Sequence, residues 1–269
     1  YLVSLDRVDE ARAVMAEMDQ TLDDEQLRTM REQMAGEAQQ SVRDLRGPRF
    51  GLMPVVWVGI TLSALQQLVG INVIFYYSSV LWQAVGFDEG DSLKISVISG
   101  AINIGATIVA IACIDRFGRR PLLLVGSAGM SVSLVVLAYL FGTAPLVEVA
   151  ATSTCAAPCL QPTLAGGSAT LALVAANLFV IFFGFSWGPV VWVLLGEMFP
   201  NRIRALGLAV AASAQWLANF AITATFPALA ELGLAFAYGL YAAFAALSLW
   251  FVLAAVRETR GIELEDMRE

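Results

Sequence analysis

The sequence predicts an all-α membrane protein, and three observations predict it. First, 58% of its 269 residues are apolar and only 14% are charged, whereas about 25% are charged in an ordinary soluble domain. Second, no charged residue occurs between residues 50 and 87, and further charge-free stretches follow along the chain. Third, these stretches reach the length of about 20 residues that a helix needs to cross the hydrocarbon core. Lipid is therefore the predicted solvent.

The charge-free stretches predict six spans. The stretch at 149–196 is too long for one span, and its first part, residues 150–168, is rich in Thr, Pro, Gly and Ser, as loops are. Spans 1 to 6 are predicted at residues 52–84, 94–114, 121–142, 168–198, 204–228 and 232–256. The chain thus divides into a cytoplasmic helical linker at 1–50, a six-helix transmembrane bundle at 51–256 and a cytoplasmic tail at 257–269.

The distribution of lysine and arginine predicts the orientation. Of the 16 basic residues, seven precede span 1, three lie between spans 2 and 3, two between spans 4 and 5, and three in the tail. Only Lys94 falls on the opposite side. Because basic residues concentrate in cytoplasmic loops, both ends of the chain are predicted to be cytoplasmic, with the bundle in the cell membrane.

The linker is predicted to contain short helices. Val8, Ala11, Met15 and Met18 have the spacing of an amphipathic helix, and a second helix is predicted near residues 25–38. A solvated linker with little fixed structure is the alternative.

Several classes of function are excluded by residue content. The net charge of −7 comes largely from the linker and tail, which argues against nucleic acid as a partner. Histidine is absent, so no histidine triad or histidine metal site exists, and no metal or cofactor is predicted. The spans contain no carboxylate pair or nucleophile–base pair, so an enzyme is not predicted. Cys155 and Cys159 form a disulfide or remain free thiols, and the sequence leaves both open.

Short motifs of polar, glycine and proline residues lie within the spans and at their cytoplasmic ends. They are Gln66-Gln67-Leu-Val-Gly70-Ile-Asn72-Val-Ile-Phe-Tyr76-Tyr77, Asp115-Arg116-Phe-Gly118-Arg119-Arg120-Pro121, Gly188-Pro189-Val-Val-Trp192, Glu197-Met-Phe199-Pro200-Asn-Arg202, Gln215-Trp216-Leu-Ala-Asn219-Phe220 and Glu258-Thr259-Arg260-Gly261. In this order they resemble the sugar porters of the major facilitator superfamily, over almost the whole chain. The strongest resemblance is to helices 7–12, the carboxy-terminal half, of bacterial proton-coupled xylose and hexose symporters.

The resemblance implies secondary active transport of a monosaccharide, a pentose or a hexose, by alternating access. Proton symport is favoured over facilitated diffusion. In this family the acidic residue that couples protons lies in the first six helices, so protons would act through an amino-terminal half that this sequence does not contain. A facilitative sugar uniporter and a transporter-like sugar sensor are the alternatives.

Uncharged polar side chains within the spans are the candidate sugar ligands. A sugar needs neutral donors and acceptors together with a flat aromatic wall, and amides and indoles supply both. With the resemblance, the predicted substrate-binding residues are Gln66, Gln67, Asn72, Asn103, Gly188, Trp192, Gln215 and Trp216. Hydrogen bonding between helices is the alternative for the amides, and a place in the interfacial aromatic belt is the alternative for Trp192.

Gly70 is predicted to break span 1. On an ideal helix Gln67 and Asn72 point about 140° apart, so one straight helix cannot direct both at one ligand. Glycine between them permits local unwinding.

Two further groups are predicted to act in gating. By resemblance Tyr76 and Tyr77 close the external side, with core packing as the alternative, and Gly188-Pro189 kinks span 4. The charged residues at the cytoplasmic rim are Asp115, Arg116, Arg119, Arg120, Glu197 and Arg202. They are interpreted as a latch of ion pairs that forms and breaks during alternating access, or else as a solvated rim that only sets topology.

Overall fold

The computed structural model describes residues 3, 7–17, 28, 41–48, 50–78, 82–83, 88–149 and 159–259. Within these residues, six helical segments are long and apolar enough to cross a membrane, and they follow the predicted order. The all-α fold predicted from the sequence is confirmed. The division into linker, bundle and tail stays a prediction.

Nine α-helices are found in the described part of the chain. Helix α1 is Val8–Glu17, and the six spans are α2 (Pro54–Leu68) with α3 (Ile71–Tyr76), α4 (Glu89–Phe117), α5 (Arg119–Thr143), α6 (Gly167–Phe182) with α7 (Gly188–Met198), α8 (Arg204–Leu232) and α9 (Leu234–Ala255). A π-helical turn, Phe183–Trp187, joins α6 to α7. The first and fourth spans are therefore each built from two helices.

Span boundaries differ from the predicted ones because capping, and not apolarity, decides where a helix ends. Helix α4 begins at Glu89 and not near 94, because the carboxylate of Asp88 accepts a hydrogen bond of 2.6 Å from the backbone N–H of Asp91. Lys94 consequently lies within the helix, where it pairs with Asp91 at 2.8 Å. Helix α8 continues to Leu232, beyond the predicted end at 228.

The predicted loop at 150–168 is in part wrong, because its second half begins with a strand. Strands β1 (Leu146–Val149) and β2 (Cys159–Pro162) pair in antiparallel register, with Leu146 opposite Pro162 and Val149 opposite Cys159. Cross-strand pairing depends on residues distant in sequence, which the composition of the segment does not indicate. Cys155 lies outside the described residues, so the disulfide between Cys155 and Cys159 stays untested.

The linker shows the first of its two predicted helices, α1, which matches the amphipathic pattern from Val8. The second, at 25–38, lies almost wholly outside the described residues. Just before the bundle, a single 3₁₀ turn, Val42–Leu45, is capped at its start by the hydroxyl of Ser41 and by the carboxylate of Asp44. Leu45 is buried in the main apolar core, so this end of the linker is anchored to the bundle.

The core of the bundle contains apolar side chains from all six spans, and many of the largest belong to spans 3 and 4. Leu123 and Leu134 of α5, Phe179 of α6 and Leu195 of α7 are fully buried, together with Trp187 of the π-helical turn. The spans formed by α2–α3 and α6–α7 are the most enclosed, whereas α4 and α8 have the smallest buried share. The polar side chains of span 1 therefore lie at the centre of the packing.

Candidate functional site

Span 1 is interrupted at Gly70, as predicted. Helix α2 ends at Leu68, Gly70 has φ 86° and ψ 17°, and α3 begins at Ile71. This left-handed conformation strongly favours glycine, since a Cβ would come too close to the carbonyl oxygen that follows it. The change of direction brings together two side chains that a straight helix would separate: the Nδ2 of Asn72 donates to the Oε1 of Gln67 at 2.6 Å.

Four amides form a continuous cluster, here called the amide cluster: Gln66, Gln67, Asn72 and Asn219. Besides Gln67, Asn72 donates to the Oδ1 of Asn219 on α8 at 2.9 Å. The Nε2 of Gln67 lies 3.5 Å from the Oε1 of Gln66, and the hydroxyl of Thr223 donates to Asn219 at 3.1 Å. Asn219 is not among the residues predicted from the sequence to bind a sugar. Its position one helical turn after Gln215 was the available signal.

Gln66 uses its amide hydrogens on backbone carbonyls. Its Nε2 lies 2.7 Å from the carbonyl oxygen of Trp187 and 3.2 Å from that of Gly188, and the side chain is buried. The observed contacts of Gln66 are therefore hydrogen bonds between spans, the alternative to sugar binding that the sequence left open for the amides. Gln66 thereby fixes span 1 against the irregular part of span 4.

Directly before Gly188-Pro189, where a kink is predicted, span 4 contains the π-helical turn. The backbone N–H of Gly188 donates to the carbonyl of Phe183, five residues earlier. Continuing this pattern, Pro189 would pair with Gly184 but has no N–H to donate. The carbonyl of Gly184 instead lies 3.3 Å from the hydroxyl of Thr107 on α4, so a side chain from another span compensates for the proline.

Trp187 holds the π-helical turn in place. Its indole N–H lies 2.8 Å from the hydroxyl oxygen of Ser127 and 3.2 Å from the carbonyl of Leu123, both on α5. Ser248 on α9 donates to the same Ser127 oxygen at 2.9 Å. Both the indole and the carbonyl of Trp187 are thus bonded to neighbouring spans, which makes this turn a rigid part of the bundle.

The remaining predicted ligands lie in different surroundings. Gln215 and Asn103 each have a buried side-chain oxygen without a partner among the described residues, and a buried unpaired acceptor costs about 1–3 kcal/mol. Trp192 and Trp216 are 44% and 65% exposed, so their rings lie on the surface of this bundle. The structure brings Gln66, Gln67 and Asn72 into direct contact and places neither tryptophan within that cluster.

The two tyrosines at the end of span 1 differ from each other. Tyr77 donates to the carbonyl of Thr223 at 3.3 Å, and its ring centroid lies 4.8 Å from that of Phe226. Tyr76 is exposed. Tyr77 therefore ties the end of span 1 to α8, while Tyr76 is available for contacts outside the bundle.

At the opposite end of the bundle, Arg119 is the centre of a charged network. Its Nε and Nη2 lie 3.0 Å and 2.7 Å from the two carboxylate oxygens of Glu197, which is a bidentate pair. Asp115 contributes a further contact at 2.9 Å, although its side chain is 82% exposed. The pair with Glu197 connects α5 to α7 and is the better shielded of the two.

Glu258 and Thr259, from the segment after the last span, complete this network. The Glu258 carboxylate accepts hydrogen bonds of 3.0 Å from the backbone N–H groups of Arg119 and Arg120, at the start of α5. Gly118 offers no side-chain cap there, and a carboxylate at a helix N-terminus is favourable. Thr259 donates to Glu197 at 2.6 Å. Both residues were in a noted motif but were not predicted to act at the rim, because this contact is tertiary.

The other predicted rim residues have separate partners. Arg202 pairs with Asp44 of the linker turn and not with Glu197. The backbone N–H of Ser41 and the Arg202 guanidinium lower the pKa of Asp44. This carboxylate is therefore charged near neutral pH, and the contact is lost only as the pH falls through the lowered pKa.

Arg120 donates to the carbonyl of Leu253 at 3.1 Å. Arg116 is exposed and forms no ion pair with the described residues.

Six apolar spans, an enclosed cluster of uncharged amides and a charged network at one end define a multi-pass integral membrane protein of the transporter class. The profile of the family described as "Sugar (and other) transporter" matches residues 1–269. The chain belongs to this family, the sugar porters of the major facilitator superfamily.

Similar proteins support this assignment. The chain is 58% identical over 225 residues to the "Glucose transport protein" of Synechocystis, a match that covers 83% of this chain and 46% of that protein. It is 36% identical to the "D-xylose-proton symporter" of Escherichia coli K12, covering 79% and 40%. It is 35% identical to the "Glucose facilitated diffusion protein" of Zymomonas mobilis, covering 82% and 43%. The chain spans about half the length, or less, of these relatives.

Solved structures agree on the fold. The proton:xylose symporter XylE bound to 6-bromo-6-deoxy-D-glucose matches with a TM-score of 0.66 and 35% identity, covering 79% of this chain and 42% of XylE. The inward open conformation of XylE from E. coli matches with a TM-score of 0.65 and 31% identity, covering 96% and 49%.

Proposed function

We propose that this chain forms the carboxy-terminal half of a secondary active transporter that carries a monosaccharide across the cell membrane by alternating access, with proton symport. The observation that carries the proposal is the contact between Gln67 and Asn72 across the break at Gly70. This contact places the uncharged amides of Gln67 and Asn72 next to each other inside an apolar bundle.

The chemistry of the amide cluster favours a polyol. Each amide offers a donor and an acceptor, which matches a ring of hydroxyl groups without a formal charge. The oxygens of Gln215 and Asn103 are unpaired but buried in this conformation, so they can accept from sugar hydroxyls only after the helices rearrange. Trp192 and Trp216 supply exposed ring faces for the C–H surface of a sugar, provided that the other half of the transporter encloses them. Relatives named for glucose and for xylose agree with a pentose or hexose substrate.

Alternating access requires contacts that can form and break. The ion pair of Arg119 with Glu197, together with the Glu258 cap, connects α5, α7 and the segment after α9 at one end of the bundle. Rearranging partly buried charges of this kind biases a conformational equilibrium by about 1–3 kcal/mol. We assign this network to the latch on the cytoplasmic side, where both termini of the chain are placed in the proposal.

Proton coupling is assigned to residues outside this chain. Within the described spans the acidic side chains lie at or near helix ends, as Asp91, Asp115 and Glu231 do, and a coupling carboxylate is expected deep in the membrane. The relatives include a proton symporter and a facilitated diffusion protein, so transport and coupling need separate measurements.

The test uses the full-length protein in liposomes. Counterflow of labelled xylose and glucose measures transport. Proton coupling is measured as sugar accumulation driven by an inward proton gradient, which a protonophore should abolish. Gln67→Ala and Trp192→Ala are expected to abolish sugar binding in folded protein. Gln83→Ala and Trp250→Ala, which alter exposed residues of the same types, are the matched controls. Counterflow without proton-driven accumulation would contradict symport, and absence of counterflow for both sugars would contradict sugar transport.

A further inference from the structure

Gly70 lies directly against the ring of Tyr241, a residue of the last span. A Cβ built on Gly70 would lie 2.6 Å from the Cδ2 and 2.9 Å from the Cγ of this ring. These distances are shorter than real Cβ contacts, so the ring occupies the space that a side chain at position 70 would need. The left-handed residue of span 1 is thus in close contact with an aromatic side chain of α9.

Tyr241 is itself fixed by other aromatic residues. It is 1% exposed, and its ring makes an edge contact with Tyr238 at a centroid distance of 6.4 Å. Tyr238 stacks on Phe141 of α5 at 5.1 Å, with an interplanar angle of 9°. The rings of Phe141, Tyr238 and Tyr241 therefore form a continuous series of contacts from α5 through α9 to the break in span 1. Close-packed rings of this kind resist displacement.

The hydroxyl of Tyr241 does not explain its position. It is buried and has no hydrogen-bond partner among the described residues, and burying an unpaired hydroxyl is unfavourable. The ring, and not the hydroxyl, makes the contact with Gly70. A role that depends on the ring alone predicts that phenylalanine replaces this tyrosine without loss.

We propose that Tyr241 is a positioning residue for the sugar site: its ring holds Gly70 in the left-handed conformation and so keeps Asn72 directed at Gln67. Tyr241 is not in the amide cluster, and its effect on sugar binding is indirect. The proposal rests on the proposed function insofar as the positioned amides are those that bind the sugar. The conformational part, that the ring fixes the break, is independent of any substrate.

Removal of the ring leaves a cavity next to Gly70. Glycine has no intrinsic preference for the left-handed conformation over the helical one, so the break loses the packing that selects it. Residues 69–72 then sample conformations in which the side chains of Gln67 and Asn72 separate. The expected effects are faster amide exchange in this segment and weaker sugar binding, both confined to variants that lack an aromatic ring.

The test compares Tyr241→Ala, Tyr241→Leu and Tyr241→Phe in the full-length protein, with Phe179→Ala as a matched control. Phe179 is a fully buried aromatic of α6, so its truncation reports general loss of packing. Hydrogen–deuterium exchange of peptides covering 66–77 is measured without sugar. The Ala and Leu variants are expected to exchange about tenfold faster in this segment, and the Phe variant at the wild-type rate. Phe179→Ala is expected to leave the segment unchanged relative to the rest of the protein.

Binding of labelled xylose and glucose is measured on the same samples. The Ala and Leu variants are expected to bind about tenfold more weakly, and Tyr241→Phe within about twofold of the wild type. Unchanged exchange at 66–77 in Tyr241→Leu would overturn the proposal, as would weaker binding by the Phe variant. Failure of the wild type to bind either sugar would contradict the proposed function and leave the exchange measurement as the decisive test of positioning.

Discussion

The Nδ2 of Asn72 lies 2.9 Å from the Oδ1 of Asn219, so one amide on α3 connects two spans that are 147 residues apart in sequence. The same nitrogen reaches Gln67. The side-chain nitrogen of Asn72 therefore has two partners, Gln67 and Asn219. Together they set the orientation of the side-chain oxygen of Asn72, which remains available for a ligand.

Asn219→Ala is expected to weaken sugar binding about fivefold, close to 1 kcal/mol, because loss of this acceptor frees one hydrogen of Asn72 and loosens its orientation. Equilibrium binding of labelled sugar to the full-length protein measures the effect. Ser213→Ala is the control, since Ser213 lies on the same helix and, among the described residues, its hydroxyl bonds to the carbonyl of Ala209 alone. Equal affinities for Asn219→Ala and the wild type would remove Asn219 from the site.

Gly70→Ala is expected to destabilise the protein by about 1–3 kcal/mol, through the left-handed backbone and the collision with Tyr241. Gly100→Ala provides the control: Gly100 is inside α4, and apart from the adjacent residues and backbone of that helix no described atom lies within 4 Å of a Cβ at this position. There alanine is expected to stabilise the helix by about 0.5–1 kcal/mol. Thermal unfolding of both variants measures the difference, and a Gly70→Ala protein as stable as Gly100→Ala would contradict the strain inferred at the break.

Gln66→Ala is expected to lower stability by about 1–3 kcal/mol, because the carbonyls of Trp187 and Gly188 lose their donor inside the bundle. Thermal unfolding in detergent measures the change without any substrate. Replacement of the exposed Gln83 by alanine is the control. If Gln66→Ala unfolds at the wild-type temperature, the bridge between spans 1 and 4 contributes nothing to stability, and a direct ligand role is the better reading of Gln66.

Glu258→Ala is expected to cost about 0.5–2 kcal/mol of stability, because two backbone N–H groups at the start of α5 lose their cap. Asp115→Asn removes a charge from the same network but is expected to change stability by less than about 0.5 kcal/mol, since Asp115 is exposed to solvent. Thermal unfolding of the two variants at equal ionic strength tests the ranking. A larger effect of Asp115→Asn would mean that surface charge, and not the cap, holds this end together.

Some of this structure follows from local patterns in the sequence. Charge-free length predicted the six spans, and the angle between Gln67 and Asn72 on a straight helix predicted the break at Gly70. Both inferences need only helix geometry and the thickness of a bilayer. Gly188-Pro189 was predicted to kink span 4, and the π-helical turn directly before these residues was not predicted.

Other features depend on which spans are neighbours, and the sequence alone does not contain that information. Asn219 as a partner of Asn72, Glu258 as the cap of α5, and Trp187 as the acceptor for Gln66 are contacts between distant segments. Arg202 was predicted to belong to the charged rim without a named partner, and its ion pair is with Asp44. The substrate roles of the amides and tryptophans stay predictions until sugar binding is measured.

The turn at Val42–Leu45 has a mechanical consequence. Leu45 is embedded in the apolar core, and Asp44 is paired with Arg202 two residues before the start of α8. The position of this turn is therefore coupled to the start of α8, the helix that carries Asn219.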